Sequence, residues 1–534
     1  MPAVPVTPPG AGLGARRSRD AARAPRPAVS SVAALPTVAR IAQRAPTPAL
    51  RDPLRPPLLL FGATLALLVL RQGHLVEYLF PLGAICVALL LYLRSPAHYL
   101  GFVFWLFFLG PEVRRLADFV NGAFNAQSPI MIAPLAAVSL SGLSLLKHMA
   151  ILGQRRAAPL VLIVLALLYA FVVGAAQVGP AGATYTLMTW LYPVLISFYL
   201  ILTWRHYPDY HRVLLKTFVY GGLLMSVYGL VEFVSPLPWT AFWLQGSQMV
   251  TEGHAVPFGM RVSSTMNSCG PFAVTLMALL LTSLAARGWP RIVLGCLGVP
   301  VLLLTSVRSA WGGFAVALLY SFAMLDGRNR VRMLAVVLSL ALLATPLMLI
   351  DQVATPVLKR FDTMQNLGND TSFQERTEFY KTFLASALTN IAGQGLGTTG
   401  IGSKLSDNPA VATMTDFDSG LMEVPYVMGW PGTLLYVSGI AMLLARAFRA
   451  SRRHPRDLLA NAGVGIAFAI TAMMVFANML TGVPGMFFFL GATLPVVSLR
   501  YAREGRNMSR AAAAPEPDNH NDRQHPTQTR RTDR

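Results

Sequence analysis

The stretch VLLLTSVRSAWGGFAVALLY (Val301–Tyr320) decides how this chain is read. From Ile292 to Leu325 every residue is apolar, small or uncharged polar except Arg308. As one helix, residues 291–325 would be roughly 50 Å long at 1.5 Å per residue. A bilayer's hydrocarbon core is only about 30 Å thick. The block is therefore expected to be two spans joined by a tight reversal, with Ser306, Ser309, Gly312 and Gly313 as the residues that tolerate the break. Arg308 then lies at or just below a membrane face. It is either a side chain snorkelling to headgroups or a cation turned into the bundle, where its planar fork needs an anion.

The rest of the chain has the same character. Its 534 residues are 54% hydrophobic and 13% charged, with a mean hydropathy of +0.51. Soluble chains carry about 25% charged residues. The apolar residues fall in continuous blocks about as long as a membrane-crossing helix, not in the period-two alternation of a β-barrel. This predicts an all-α polytopic membrane protein of about 12–14 transmembrane helices. Spans are expected near 57–71, 75–93, 97–110, 129–146, 158–177, 184–203, 212–234, 268–286, 291–307, 309–325, 331–350, 424–445, 459–480 and 483–499. Several are short, which leaves room for the first two or three to merge or to be re-entrant. Residues 1–55 and 503–534 read as disordered polar tails, flanking a membrane domain at 56–502. The first tail is too long and proline-broken for a signal peptide.

The net charge of +20 does not point to nucleic acid, because the arginines sit mostly in tails and short loops. The loops 147–156, 204–212, 286–291, 326–332 and 445–457 are short and basic. The positive-inside rule makes them cytoplasmic, with both termini on that side. The exception is PEVRRLAD (111–118), which puts Arg114 and Arg115 in an outer loop. Cys86, Cys269 and Cys296 have no metal-ligand or disulfide spacing, and the nine histidines show no metal pairing.

Two outer loops are long, 235–267 and 351–423. The second holds an amphipathic pattern over 373–388 and then GQGLGTTGIG, a turn-forming stretch without the lysine and preceding strand of a nucleotide loop. Three arginines fall on the outer side: Arg261, Arg308 and Arg376. Together they outline an anion-binding cluster. For Arg376 alone, pairing with Glu375 or Glu378 in the loop is the alternative.

Four stretches carry a resemblance: RVSSTMNSCGPFA (261–273), LLLTSVRSAWGGFAVALL (302–319), ERTEFYKTFLASALTNIAGQGLGTTGIG (375–402) and DSGLMEVPYVMGWPGTLLY (418–436). In order, spacing and membrane side they resemble the O-antigen ligase and polymerase superfamily of bacterial inner-membrane proteins, over roughly residues 57–500. The resemblance implies a glycosyltransferase type C-like bundle with a large periplasmic loop. It implies undecaprenyl-diphosphate-linked oligosaccharides as donors, no metal, no other cofactor, no nucleotide sugar, and a chain-length regulator as a protein partner. The lipid bilayer is the other partner.

Within that resemblance, Arg261, Arg308 and Arg376 are the expected diphosphate ligands. Asn267, Ser309, Glu375, Ser419 and Glu423 are expected to support them or the acceptor. Ligases commonly place His-Asn where this chain has Asp418-Ser419. The expected base is therefore Asp418, with Asp416, Glu423 and His254 in reserve, and the expected activity is that of an exopolysaccharide or O-unit polymerase. The alternative for Asp418 is a plain helix N-cap. The alternatives for the whole chain are a ligase acting on lipid A core or protein, and a transporter or lipid-linked oligosaccharide flippase. The latter would favour two similar halves and midplane charges, which the sequence lacks.

Overall fold

The computed structural model describes residues 52–325, 327–344, 354, 390–403 and 419–512. Helices dominate, and no strand occurs among the described residues; Gly253 and Met260 form an isolated antiparallel bridge. In chain order the main helices are α1 (Arg55–Val69), α2 (Gly73–Arg94), α3 (Pro96–Asn121), α4 (Ile132–Ser139), α5 (Ser141–Lys147), α6 (Ala158–Val178), α7 (Pro180–Leu202), α8 (Tyr207–Val234) and α9 (Pro238–Ser247). They continue with α10 (Cys269–Ser283), α11 (Trp289–Leu304), α12 (Arg308–Met324), α13 (Gly327–Ala344), α14 (Gly420–Arg453), α15 (Leu458–Met473) and α16 (Gly482–Ala512).

The chain is an all-α multi-pass membrane protein. Among the described residues, seven helical runs are long and apolar enough to cross a bilayer: α2, the near-continuous run 129–147 through α4 and α5, α6, α7, α8 with its preceding turn, α14 and α16. Four shorter apolar helices, α1, α10, α11 and α15, pack among them. The first three helices stay separate, since Leu70 to Gln72 and the extended Ser95 break the chain between them.

Lipid tails are as apolar as leucine, so helices in a membrane associate by close packing rather than by hiding apolar surface. Here the packing uses aromatic rings and small residues. Phe104 of α3 meets Phe218 of α8 edge-on at 4.9 Å between ring centroids, and both touch Phe487 of α16. Gly463 of α15 lies on Gly491 of α16 so closely that a Cβ on Gly491 would sit 2.3 Å from the Gly463 carbonyl oxygen. Helix α16 is the hub, with 78% of its apolar window buried against 39–61% for the other long runs.

Helix ends sort into two groups. At the basic end, Arg446 donates to the carbonyls of Arg155 and Arg156, and Arg500 lies over the Trp204 ring. At the opposite end lie the α11–α12 reversal, the 248–268 loop and the N-terminus of α14. α16 runs to Ala512, ten residues beyond the tail boundary expected at 502.

Two expectations about local structure need correction. The reversal does not use Ser309, Gly312 or Gly313. It occupies Thr305–Val307, and all three residues lie inside α12, where a Cβ on Gly313 would meet the Met473 sulfur at 2.8 Å. Nor do Arg114 and Arg115 lie in an outer loop. α3 continues to Asn121 and buries both. The carboxylates Glu112 and Asp118 share that segment, so the polar turn can stay helical and dry.

Candidate functional site

The reversal that carries Arg308 is held by two local side chains and by one distant one. The Thr305 hydroxyl folds back onto the Leu302 carbonyl at 2.6 Å, and the Trp311 indole N–H donates to that same carbonyl at 3.0 Å. Ser306 takes a left-handed φ of 55°, uncommon outside glycine, and Val307 is extended. The chain then starts α12 with Arg308 as its first residue, half-buried.

A helix that stops leaves carbonyl oxygens without partners. Arg261 takes two of them. Its Nε donates to the Thr305 carbonyl at 3.0 Å and its Nη2 to the Ser306 carbonyl at 3.2 Å, while Nη1 donates to the Thr251 carbonyl at 3.3 Å. Residues 44 and 45 positions apart in sequence thus meet at one turn. A guanidinium has five N–H donors, so three bonds to backbone leave Arg261 two. It is first a strut for the reversal and only second a source of positive charge for it.

What positions Arg261 is a buried polar core that the sequence does not announce. Arg115 is fully buried. Its Nη1 faces Glu112 at 3.4 Å and Glu232 at 3.3 Å and donates to the Ser264 carbonyl at 2.7 Å. Its Nη2 reaches the Ser263 hydroxyl at 3.2 Å and the Met266 carbonyl. Glu232 returns the contact by accepting from the Ser264 N–H at 2.7 Å. Glu112 also accepts from the Tyr228 hydroxyl and, at 2.7 Å, from the Trp239 indole. α3 and α8 therefore clamp the 261–268 segment through one arginine and two glutamates. The signal available in the sequence was two arginines on the wrong side of the positive-inside pattern, with Glu112 beside them and Glu232 at the end of a span.

The same segment leads into α10. Ser268 occupies the N-cap position without a side-chain cap. Glu252 caps from a distance instead, with both carboxylate oxygens 3.2 Å from the Cys269 N–H. A carboxylate at a helix N-terminus is favoured by the helix dipole. Burial nevertheless raises the Glu252 carboxyl above its ordinary range, against the pull of the Cys269 N–H and of Arg261. Asn267 sits two residues before α10. Its Nδ2 lies 3.8 Å from the Met131 sulfur, and its buried Oδ1 has no hydrogen-bond partner among the described residues.

The glycine-rich stretch does turn, and it also enters the bundle. The Gln394 and Gly395 N–H groups donate to the carbonyls of Tyr426 and Val427, both at 2.8 Å, and the Leu396 N–H donates to the Ala170 carbonyl at 2.9 Å. Ala170 lies eight residues from the end of α6, about 12 Å along the helix. Non-helical backbone at such depth is tolerated only inside protein, with its polar groups paired. The fit demands glycine: a Cβ on Gly395 would stand 2.1 Å from the Gly174 nitrogen. α14 makes room by breaking at Gly429 (φ 60°, ψ −176°), and the Trp430 N–H is taken by the Ile391 carbonyl at 3.0 Å.

This strap ends beside Glu423. The Thr399 hydroxyl donates to Glu423 Oε1 at 3.1 Å, one turn into α14. The N-cap position of α14 belongs to Ser419, which is buried. The Gly420 N–H is bound by the Met474 carbonyl at 2.9 Å. Met473, the neighbour of Met474, is the residue that Gly313 of α12 packs against. The end of α15 therefore touches both the helix that begins at Arg308 and the helix that carries Glu423.

Of the residues expected from sequence, Arg261 and the reversal bearing Arg308 come together. Ser309 follows Arg308 as the second residue of α12. Glu423 and Ser419 lie on the first turn of α14, and Asn267 stands before α10. His254 is exposed in the 248–268 loop. Arg376, Glu375, Asp418 and Asp416, and the amphipathic pattern at 373–388, lie outside the described residues.

Residues 292–437 match the family model described as O-Antigen ligase. The matched region begins in α11 and runs through the reversal, the strap and the Gly429 break. The match supports the likeness of this part of the chain to the O-antigen ligase/polymerase superfamily. No curated protein matches the chain.

Proposed function

We propose that this O-antigen ligase/polymerase-type membrane protein is a polymerase. It would join oligosaccharide repeat units carried on undecaprenyl diphosphate, at the periplasmic face of the bacterial inner membrane. The observation that carries the proposal is the placement of Arg308 as the first residue of α12, on a reversal that Arg261 pins from behind. A cation at a helix N-terminus adds to the positive end of the helix dipole, and such an end suits phosphate. The clustering of Arg155, Arg156, Arg446 and Arg500 at the other end supports putting that end, and both termini, in the cytoplasm.

In the proposed reaction a sugar hydroxyl of the acceptor attacks the anomeric carbon of the donor. The new glycosidic C–O bond forms as the bond to the diphosphate oxygen breaks, which inverts the anomeric centre. Negative charge grows on the departing diphosphate, where Arg308 neutralises it, with Arg376 as a second cation from the large loop. The acceptor's proton passes to a carboxylate. Asp418, directly before the Ser419 N-cap, is the proposed base, and Glu423 holds the acceptor together with the amide of Asn267. The histidine that ligases commonly carry at this position is replaced by Asp418, which favours a polymerase over a ligase.

The test is polymer formation in cells lacking the native gene. Loss of a preorganised charge donor costs about 10²–10³ in rate. Arg308→Ala and Asp418→Asn should each abolish long polymer, and Arg308→Lys should recover little because it keeps the charge and loses the fork. Normal polymer from Arg308→Ala removes the phosphate role. The residual glycolipid separates the two activities: single lipid-linked repeat units mark a lost polymerase, and long lipid-linked chains mark a lost ligase.

A further inference from the structure

A groove of about 970 Å³ opens at the basic end, between α1, the start of α3 and the start of α8. Its floor exists because Gly101 has no side chain: a Cβ there would stand 3.0 Å from both the Thr217 hydroxyl and Val213 Cγ1. α3 and α8 close on each other at that point, and α1 forms the third wall. The groove is two-toned. Its mostly apolar lining includes Phe61, Phe102 and Trp105, and the charged side chains Arg94, Arg212 and Lys216 line it as well. Arg212 and Lys216 are four residues apart and share one face of α8. Both are exposed, as is Arg94, and none of the three makes an ion pair among the described residues. The one carboxylate of the lining, Asp209, stands 3.8 Å from His206.

Lys216 is nine residues into α8, about 13 Å along the helix. A lysine at that depth beside open lipid is costly unless it finds an anion or snorkels out. We propose that this groove binds one anionic phospholipid of the adjoining leaflet. Its phosphate lies among Arg94, Arg212 and Lys216, and an acyl chain follows Phe61, Phe102 and Trp105. Charge selects this occupant. Three cations face one carboxylate, so an anionic headgroup is favoured over a zwitterionic one. The chain's own residues 1–51 hold eight arginines and one aspartate, and their charge has the same sign as the groove's rim.

The experiment uses the full chain, purified in detergent and analysed by native mass spectrometry with phosphatidylglycerol or phosphatidylcholine of identical acyl chains. One phosphatidylglycerol per chain should be retained preferentially, and excess inorganic phosphate should not displace it. A cation near an anionic surface contributes about fivefold. The double substitution Arg212→Gln with Lys216→Gln should therefore cut phosphatidylglycerol retention about 25-fold. Arg449→Gln with Arg453→Gln, at the same end but outside the groove, should leave it unchanged. A second measurement does not depend on that variant folding. A photo-crosslinker on Leu58→Cys, at an exposed position in the groove, should capture phosphatidylglycerol in preference to one on Leu319→Cys, which is equally exposed on α12. Equal retention of the two lipids overturns the proposal. So does displacement by phosphate, an equal loss in the control variant, or cross-linking at position 58 to the N-terminal tail or to a second copy of the chain.

Discussion

Arg115→Met is the sharpest test of how the site is held. The methionine fills much of the volume and removes every donor. Two glutamates, Glu112 and Glu232, then lose their cation, and the Ser264 and Met266 carbonyls lose theirs as donor. Removing one partner of a buried ion pair costs about 3–5 kcal/mol, because the remaining charge is stranded. The cost falls on the segment that Arg115 clamps, residues 261–268. At about 1.4 kcal/mol per decade, hydrogen–deuterium exchange of those amides should speed up by roughly a hundred- to a thousandfold or more. The far end of the bundle, at Tyr207 and Asp457, should exchange as before. Arg261 sits on the loosened segment, so its hold on the Thr305 and Ser306 carbonyls should fail, and polymer formation should fall although Arg115 touches none of the reacting groups. Adding Glu112→Gln and Glu232→Gln to Arg115→Met removes the stranded charge and should restore much of the protection. If Arg115→Met leaves exchange at 261–268 within about fivefold of wild type, a loss of only about 1 kcal/mol, the clamp argument is wrong.

Three other outcomes test separate parts of the site. Arg261→Lys keeps the charge but cannot span three carbonyls, so it should lose about 1–3 kcal/mol of stability and most polymer; unchanged melting and polymer would show that charge alone matters. Gly395→Ala puts a Cβ onto the Gly174 backbone, so the strap should leave the bundle, read as faster exchange at 391–400 with loss of polymer; a protected strap refutes the fit. For Glu252, burial raises the folded-state carboxyl pKa, so the folded protein holds that proton more tightly than the unfolded chain. The group's contribution to stability is then full below the ordinary carboxylate pKa and is lost as pH rises through the raised folded value. Glu252→Gln, which keeps an acceptor for the Cys269 N–H, should melt no lower than wild type at neutral pH and vary less with pH in the acid range. Glu252→Ala should lose the cap, about 1 kcal/mol; a Gln variant as unstable as the Ala variant would sink this account.

Apolar block length sufficed to place most helices, because a helix must be long enough to cross a bilayer. The expected span at 291–307 became α11, ending at Leu304, and the next became α12, starting at Arg308. Arg308 and Arg261 stood out as charges where the membrane pattern wants none. The exact seat of the reversal was not legible. Glycine permits a turn anywhere, and the break at Thr305–Val307 is held by Thr305 and Trp311 locally and by Arg261, more than 40 residues away in sequence.

Long-range pairing explains the remaining differences. Arg115 read as a loop arginine because its partners, Glu232 and the Ser264 carbonyl, are 117 and 149 residues off. GQGLGTTGIG read as a turn because glycines break helices. That its amides would pair with a broken α14 and with α6 depends on three segments meeting, which no local pattern encodes. The sequence by itself determined that this chain spans a membrane, where most of its helices run and which arginines are out of place, because those follow from the cost of moving single residues into lipid. Only the tertiary structure decided which arginine struts the reversal and which clamps the segment beneath it. Hydrogen-bond partners are chosen by proximity in space, and proximity is set by the packed bundle.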